Sequence, residues 1–133
     1  MKKFVKPNGR CPIDDWLGSK AITAKDQAAL DTVVQAIESV SAGMFPPEKV
    51  KKYQTTTLYE VKARASGKQL RPFADKDDAN KQIVLLCGAV EKDGKIDGGD
   101  ITTGENLAKI WRSGNGSVKD YWEDPDDLET PDK

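Results

Sequence analysis

Histidine is absent from the 133 residues, and cysteine occurs only twice, as Cys11 and Cys87. The first absence excludes mechanisms that need an imidazole, including Ser- and Cys-based triads. With no CxxC pair either, a zinc site built from sequence-local ligands is excluded. No apolar run approaches the ~18 to 20 residues that a bilayer crossing requires. The leading segment Met1-Lys2-Lys3-Phe4-Val5-Lys6-Pro7 has basic residues with no apolar stretch behind them, so neither a secretory leader nor a membrane span is expected. Gly-rich phosphate loops of the Walker and dinucleotide kinds are also missing. These absences together predict a reduced, cytoplasmic protein that uses no cofactor.

What is present suits one ordinary domain. Hydrophobic residues make up 37% and charged residues 32% of the chain, enough Val, Ile and Leu to close a core at this length. The 21 basic and 22 acidic residues look balanced but are segregated. Residues 1–118 hold 19 basic against 15 acidic, a net +4, and residues 119–133 hold 2 against 7, a net −5. The expected division is therefore a folded domain over 1–118 and an acidic, proline-containing tail over 119–133.

Hydrophobic periodicity sets the expected elements. Lys3-Phe4-Val5 reads as a short strand stopped at Pro7-Asn8-Gly9, and Ile13 to Leu17 as a short helix with acids in its first turn. Thr23 and Asp26 form a carboxylate version of a capping box, followed by an apolar stripe of Leu30, Val33, Val34, Ile37 and Val40 that Gly43 ends. Pro46 to Val50 reads as a connecting turn. The period then changes to two. Thr57 to Arg64 alternates as a half-buried strand, with Leu58, Glu60, Lys62 and Arg64 on one side. After a turn at Ala65 to Lys68, a second strand runs from Gln69 to Ala74 with an interruption at Pro72, and Asp75 to Asn80 makes a polar turn. Gln82 to Val90 is nearly continuously apolar, as a central strand covered on both faces would be. A last helix is expected from Thr102 or Thr103, with Leu107, Ile110 and Trp111 on its stripe. Helices before a three-stranded antiparallel meander and one helix after it define an α+β fold.

Two motifs are set aside. Asp93 to Asp100 resembles a calcium loop, but Lys95 and Gly104 stand where such a loop needs a ligand and a bidentate Glu. Asn115-Gly116-Ser117 is a glycosylation sequon without a route to the glycosylating enzyme. Glu60 and Glu91 are conceivable as a carboxylate pair, although their spacing does not bring them together. The stronger signal is cationic: Lys62 and Arg64 two apart on one strand face, Arg71 on the next strand, and Lys92 at the end of the third. Guanidinium forks and ammonium groups converging from adjoining strands suit a phosphate. The competing reading is that these cations pair with acids such as Glu60 across or along the strands.

Leu58-Tyr59-Glu60-Val61-Lys62, then Arg71, then Ile83-Val84-Leu85-Leu86-Cys87-Gly88 and Lys92, resemble the motifs of the RelE/ParE toxin superfamily, in particular its HigB-like and phage-derived branch. Asp15-Trp16-Leu17 and the long helix after it are similar to the helical hairpin that packs on that family's sheet. The resemblance spans residues 3–113. It implies a small antiparallel sheet with an N-terminal strand and helical hairpin, and a toxin neutralised by a small antitoxin such as a helix-turn-helix protein. It also implies metal-independent cleavage of mRNA on the ribosome by attack of a ribose 2′-hydroxyl on the adjacent phosphorus. By motif position Lys62, Arg71 and Lys92 would be catalytic, with Arg64 added from strand geometry, Lys68 in the intervening turn, and Tyr121 near the carboxyl end contacting RNA. The chain departs from the family pattern at Lys62, Cys87, Ala89 and Glu91, where the family has Arg, His, Phe and Lys. A second reading follows from those departures: a binding protein on the same scaffold that blocks a ribosome site, a gyrase subunit or a regulator without cleavage.

Overall fold

The structure, a computed structural model, describes residues 1–40, 49–54, 56–65 and 67–123. In chain order the elements are β1 (Lys2–Val5), α1 (Pro12–Leu17), α2 (Ala24–Glu38), β2 (Val50–Lys52), β3 (Tyr59–Val61), β4 (Ala63–Ala65) and β5 (Lys68–Leu70). They continue with β6 (Phe73–Asp77), β7 (Gln82–Cys87), β8 (Val90–Lys92), β9 (Lys95–Ile96), α3 (Gly98–Arg112) and β10 (Ser117–Asp120). The fold mixes α and β, as expected. No helix among the described residues is long and apolar enough to cross a membrane.

The expected meander is present but bent. Its three strands form β3, β6 and β7 in a six-stranded sheet of order β10-β1-β7-β6-β3-β2, then cross into a second sheet of order β4-β5-β8-β9. The crossings fall at Lys62, at Arg71-Pro72 and at Gly88-Ala89. Backbone bonds continue through them, from Val61 N–H to Pro72 O (3.0 Å) and from Arg71 N–H to Ala89 O (2.9 Å). Pro72 fixes φ and offers no N–H, so the middle strand cannot run straight there. At Gly88 an added Cβ would stand 1.8 Å from the Trp16 ring, so α1 reaches the bend only because that side chain is missing. Beyond the meander, β1 joins β7 in parallel, and β10 and β2 form the edges by antiparallel pairing.

Helices cover both faces of the larger sheet. The α1 and α2 side is closed by Ile13, Leu30, Val34, Val61, Ile83 and Leu85, and the α3 side by Leu58, Phe73, Val84, Leu86 and Leu107. The strand expected to be half-buried is therefore apolar-packed on both sides over β3, where Glu60 and Val61 are both buried. Full burial of one such aliphatic side chain is worth about 1.5 to 3 kcal/mol, so these two layers dominate the stabilisation. Thr23 and Asp26 make both halves of the expected capping box. The stripe ends sooner than expected: Ser39 caps the helix and Val40 is 40% exposed, while Gly43 and residues 46–48 of the expected turn lie outside the described residues.

Three boundaries are corrected. The last helix starts at Gly98 rather than Thr102, because the Asp97 carbonyl accepts from Asp100 N–H (3.0 Å) and Ile101 N–H (3.2 Å) and opens the first turn earlier. The supposed polar turn from Asp75 begins as strand: Asp75 is buried and takes a two-pronged contact from Arg112 (2.9 and 3.0 Å). The domain edge expected at 118/119 falls inside β10, whose register pairs Lys119 with Lys3 and Asp120 with Lys2. Tyr121 N–H then bonds Met1 O at 3.0 Å, so residues 119–123 belong to the fold, and 124–133 lie outside the described residues.

Candidate functional site

The six sequence-predicted site residues do not converge. Cross-strand partners share a face and neighbours along a strand alternate. The pairings Arg64 with Gln69 and Gln69 with Glu91 therefore put Arg64, Gln69 and Glu91 on one face, and Arg71, two residues past Gln69, joins them. Lys68, Leu70, Val90 and Lys92 take the opposite face. Lys68 donates to Asp26 Oδ2 (2.7 Å) and to Ala21 O (2.8 Å), fastening β5 to the start of α2. Tyr121 is buried and donates its hydroxyl to Asp31 Oδ1 at 2.7 Å. Burial first, and then that bond, push its phenol well above the usual range. Its environment suits an anchor between β10 and α2 rather than an RNA contact or a proton donor.

What the structure does bring together is Lys62 and Arg71 with two carboxylates that sequence spacing left apart. Glu60 extends from β3 on the α3 side, at the bend, with a side chain only 9% exposed and Lys62 Nζ 4.0 Å from its Oε1. Its Oε2 is buried and has no hydrogen-bond partner. Burial raises the Glu60 pKa, the charges of Lys62 and Arg71 oppose that rise, and Glu91 adds to it. An orphaned carboxylate oxygen is costly where water is excluded, which is why the protonated form gains.

Arg71 is held firmly. Its Nη1 donates to Ala63 O (3.2 Å) and Leu70 O (2.9 Å), its Nη2 donates to Gln69 Oε1 (2.7 Å), and its Nε lies 3.4 Å from Glu91 Oε1 without making a hydrogen bond. The carbonyls that grip it are exposed to it by the bend at Arg71-Pro72. Tyr53, which no sequence signal marked, completes the group: its ring meets Phe73 edge-on at 5.3 Å, and burial, with the charges of Glu60 and Glu91, raises its phenol pKa. Lys51 pairs across from Glu60 on the edge strand β2.

Chemically, the bend combines a carboxyl with a raised pKa, a nearby ammonium and a rigid guanidinium, the ingredients of acid–base work on an anion. Among the described residues, no group of three or more Cys, Asp or Glu side chains is placed to hold a metal ion. Lys92 stands apart: with Lys68 it borders a separate cavity of about 880 Å³ behind the bend. Compared with known family models, curated proteins and solved structures, the chain matches none.

Proposed function

We propose that the chain is a RelE/HigB-like toxin that cleaves ribosome-bound mRNA without a metal, with the chemistry centred on Glu60 and with a small antitoxin as its partner. The observation that carries this reading is the buried Glu60 carboxyl, its Oε2 unpartnered, set among Lys62, Arg71 and Glu91. A carboxylate whose pKa is raised is a better base than an ordinary surface Glu. Glu60 would take the proton of a ribose 2′-hydroxyl as that oxygen bonds to phosphorus. The bond from phosphorus to the 5′ oxygen breaks, and the Lys62 ammonium, 4.0 Å from Glu60 Oε1, would return a proton to the departing oxygen. Arg64, exposed on the Arg71 face, would meet the phosphate, and Arg71 positions Glu91 and the bend. Lys68, Lys92 and Tyr121 have no part in this step.

The second reading, inhibition by binding without cleavage, is favoured by the engagement of Arg71. A guanidinium has five N–H donors, and three acceptors plus Glu91 already surround it, leaving little for a phosphate. Purified protein added to translating ribosomes separates the readings. The nuclease reading expects mRNA fragments ending in 2′,3′-cyclic phosphate, and a rate loss of about 100-fold or more in Glu60→Gln, as for removal of a general base. Inhibited translation with intact mRNA would overturn it in favour of binding.

A further inference from the structure

The cavity behind the bend lies on the opposite face of the smaller sheet from Arg71, is open to solvent on one side, and is bordered by α1, the β8–β9 hairpin and the first turn of α3. Its volume, about 880 Å³, is within the usual span of small-molecule sites. One wall is apolar, made by Trp16, Ala89, Val90 and Ile96. The indole of Trp16 rests directly against Gly88, with no side chain between, so its position is set by backbone. Lys92 and Lys95 form the second wall. They are direct cross-strand partners on the two-residue Asp93-Gly94 turn, and neither has a hydrogen-bond or ion-pair partner among the described residues.

Like charges placed opposite each other across a hairpin are destabilising, and among the described residues no carboxylate makes an ion pair with either of these exposed lysines. Asp97 and Asp100 border the cavity on its third side. Burial, with the Asp97 charge beside it, raises the Asp100 pKa. The cavity thus has an aromatic surface, an unneutralised ammonium pair and hydrogen-bonding carboxyls. We propose that it binds a phosphorylated aromatic ligand of the mononucleotide class, with the phosphate on Lys92 and Lys95, the ring against Trp16, and amino or hydroxyl groups of the ligand on Asp97 and Asp100. Phosphate alone would leave the Trp16 wall uncovered, and a nucleoside would leave the ammonium pair unneutralised. The site is independent of the chemistry proposed at Glu60.

The test is a titration of the full chain, followed by the indole and amide NMR signals of Trp16, Lys92 and Lys95, with AMP, adenosine and inorganic phosphate as probes. AMP should saturate these signals, with adenosine and phosphate each at least about tenfold weaker, a difference of roughly 1.4 kcal/mol. The double variant Lys92→Gln/Lys95→Gln should weaken AMP by about tenfold or more, while Lys109→Gln, about three turns along α3, should leave it unchanged. Trp16→Phe keeps an aromatic wall and should retain binding. A 5′-phosphorylated RNA tetranucleotide identifies the source: tighter binding than AMP assigns the site to an RNA end, and equal or weaker binding to a free nucleotide. Failure of AMP to saturate at about 10 mM, far weaker than an ordinary small-molecule site, would overturn the proposal. Equal binding of phosphate and AMP, or indifference to the double lysine variant, would overturn it as well.

Discussion

Two clusters of buried charge in this molecule have opposite characters. Beside the N-terminal strand, Lys3 is 2% exposed, and its ammonium donates to Asp14 Oδ1 (2.6 Å) and to Glu123 O (3.2 Å). Lys119 closes on the other oxygen of Asp14. Burial pushes the Asp14 carboxyl up, yet the hydrogen bonds and charges of Lys119 and Lys3 outweigh it and hold the group below the usual carboxylate value. At the bend the balance reverses: burial prevails over Lys62 and Arg71, and the Glu60 carboxyl rises. The difference is charge pairing. Asp14 has an ammonium against each of its oxygens, whereas Glu60 has one, 4.0 Å from its Oε1. A closely paired buried cluster ties elements together, here β1, α1 and β10; a loosely paired one is poised to exchange a proton.

The sharpest way to break that contrast is to neutralise each acid. Asp14→Asn leaves the Lys3 and Lys119 ammoniums facing each other without a carboxylate, and breaking a buried pair in this way typically costs about 3 to 5 kcal/mol. Urea denaturation should show a loss near the lower end, because Lys119 is partly exposed and can turn toward water. Lys3→Met added to Asp14→Asn should recover part of the loss, since the two residues act as one unit. A loss below ~1 kcal/mol for Asp14→Asn, in the range of an exposed pair, would show the cluster to be solvated.

A smaller effect is expected where β5 meets α2. Lys68 is one-third exposed, so Lys68→Met should cost about 1 kcal/mol or less, between a surface and a buried pair. The same variant should leave any RNA cleavage unchanged, because the ammonium is spent on Asp26 and Ala21. A fall in cleavage rate without a fall in stability would return Lys68 to the phosphate-binding set.

How much of this was legible in the sequence follows from how local each cause is. The capping box at Thr23 and the break at Pro72 are decided by residues within one turn of each other, and both are where expected. Period-two alternation also placed Glu60, Lys62 and Arg64 on one side, as the 4.0 Å contact between Glu60 and Lys62 bears out for that pair. The face of Lys92 was not legible, because it depends on the register across β5 and β8 and therefore on where the chain bends. The crossings at Lys62 and Gly88 leave no local mark, since what makes Gly88 necessary is the ring of Trp16, 72 positions away in the sequence. A local signal for the hairpin is nonetheless present: Asp93-Gly94, with φ values of +52° and +77°, is the residue pair a tight hairpin turn favours, and such a turn sets Lys92 opposite Lys95.

The smallest predicted effect discriminates best, because its sign reverses between the clusters. For Asp14 the folded-state pKa lies below the unfolded value, so its stabilisation is present above about pH 4, the unfolded carboxylate range, and is lost as pH falls through the folded pKa. For Glu60 the folded-state pKa lies above the unfolded value of about 4.3. Its contribution is complete below that pH and is lost as pH rises through the folded pKa. Glu60→Gln removes the buried charge while keeping the shape, so it should be close to neutral at pH 4 and stabilising at pH 7, by at most about 1 kcal/mol because the neighbouring cations offset part of the burial. Urea midpoints of both proteins across pH 4 to 8 measure this directly. A Glu60→Gln protein that loses stability as pH rises, relative to the parent, would show that Lys62 and Arg71 overcome burial, and the two clusters would then be of one kind.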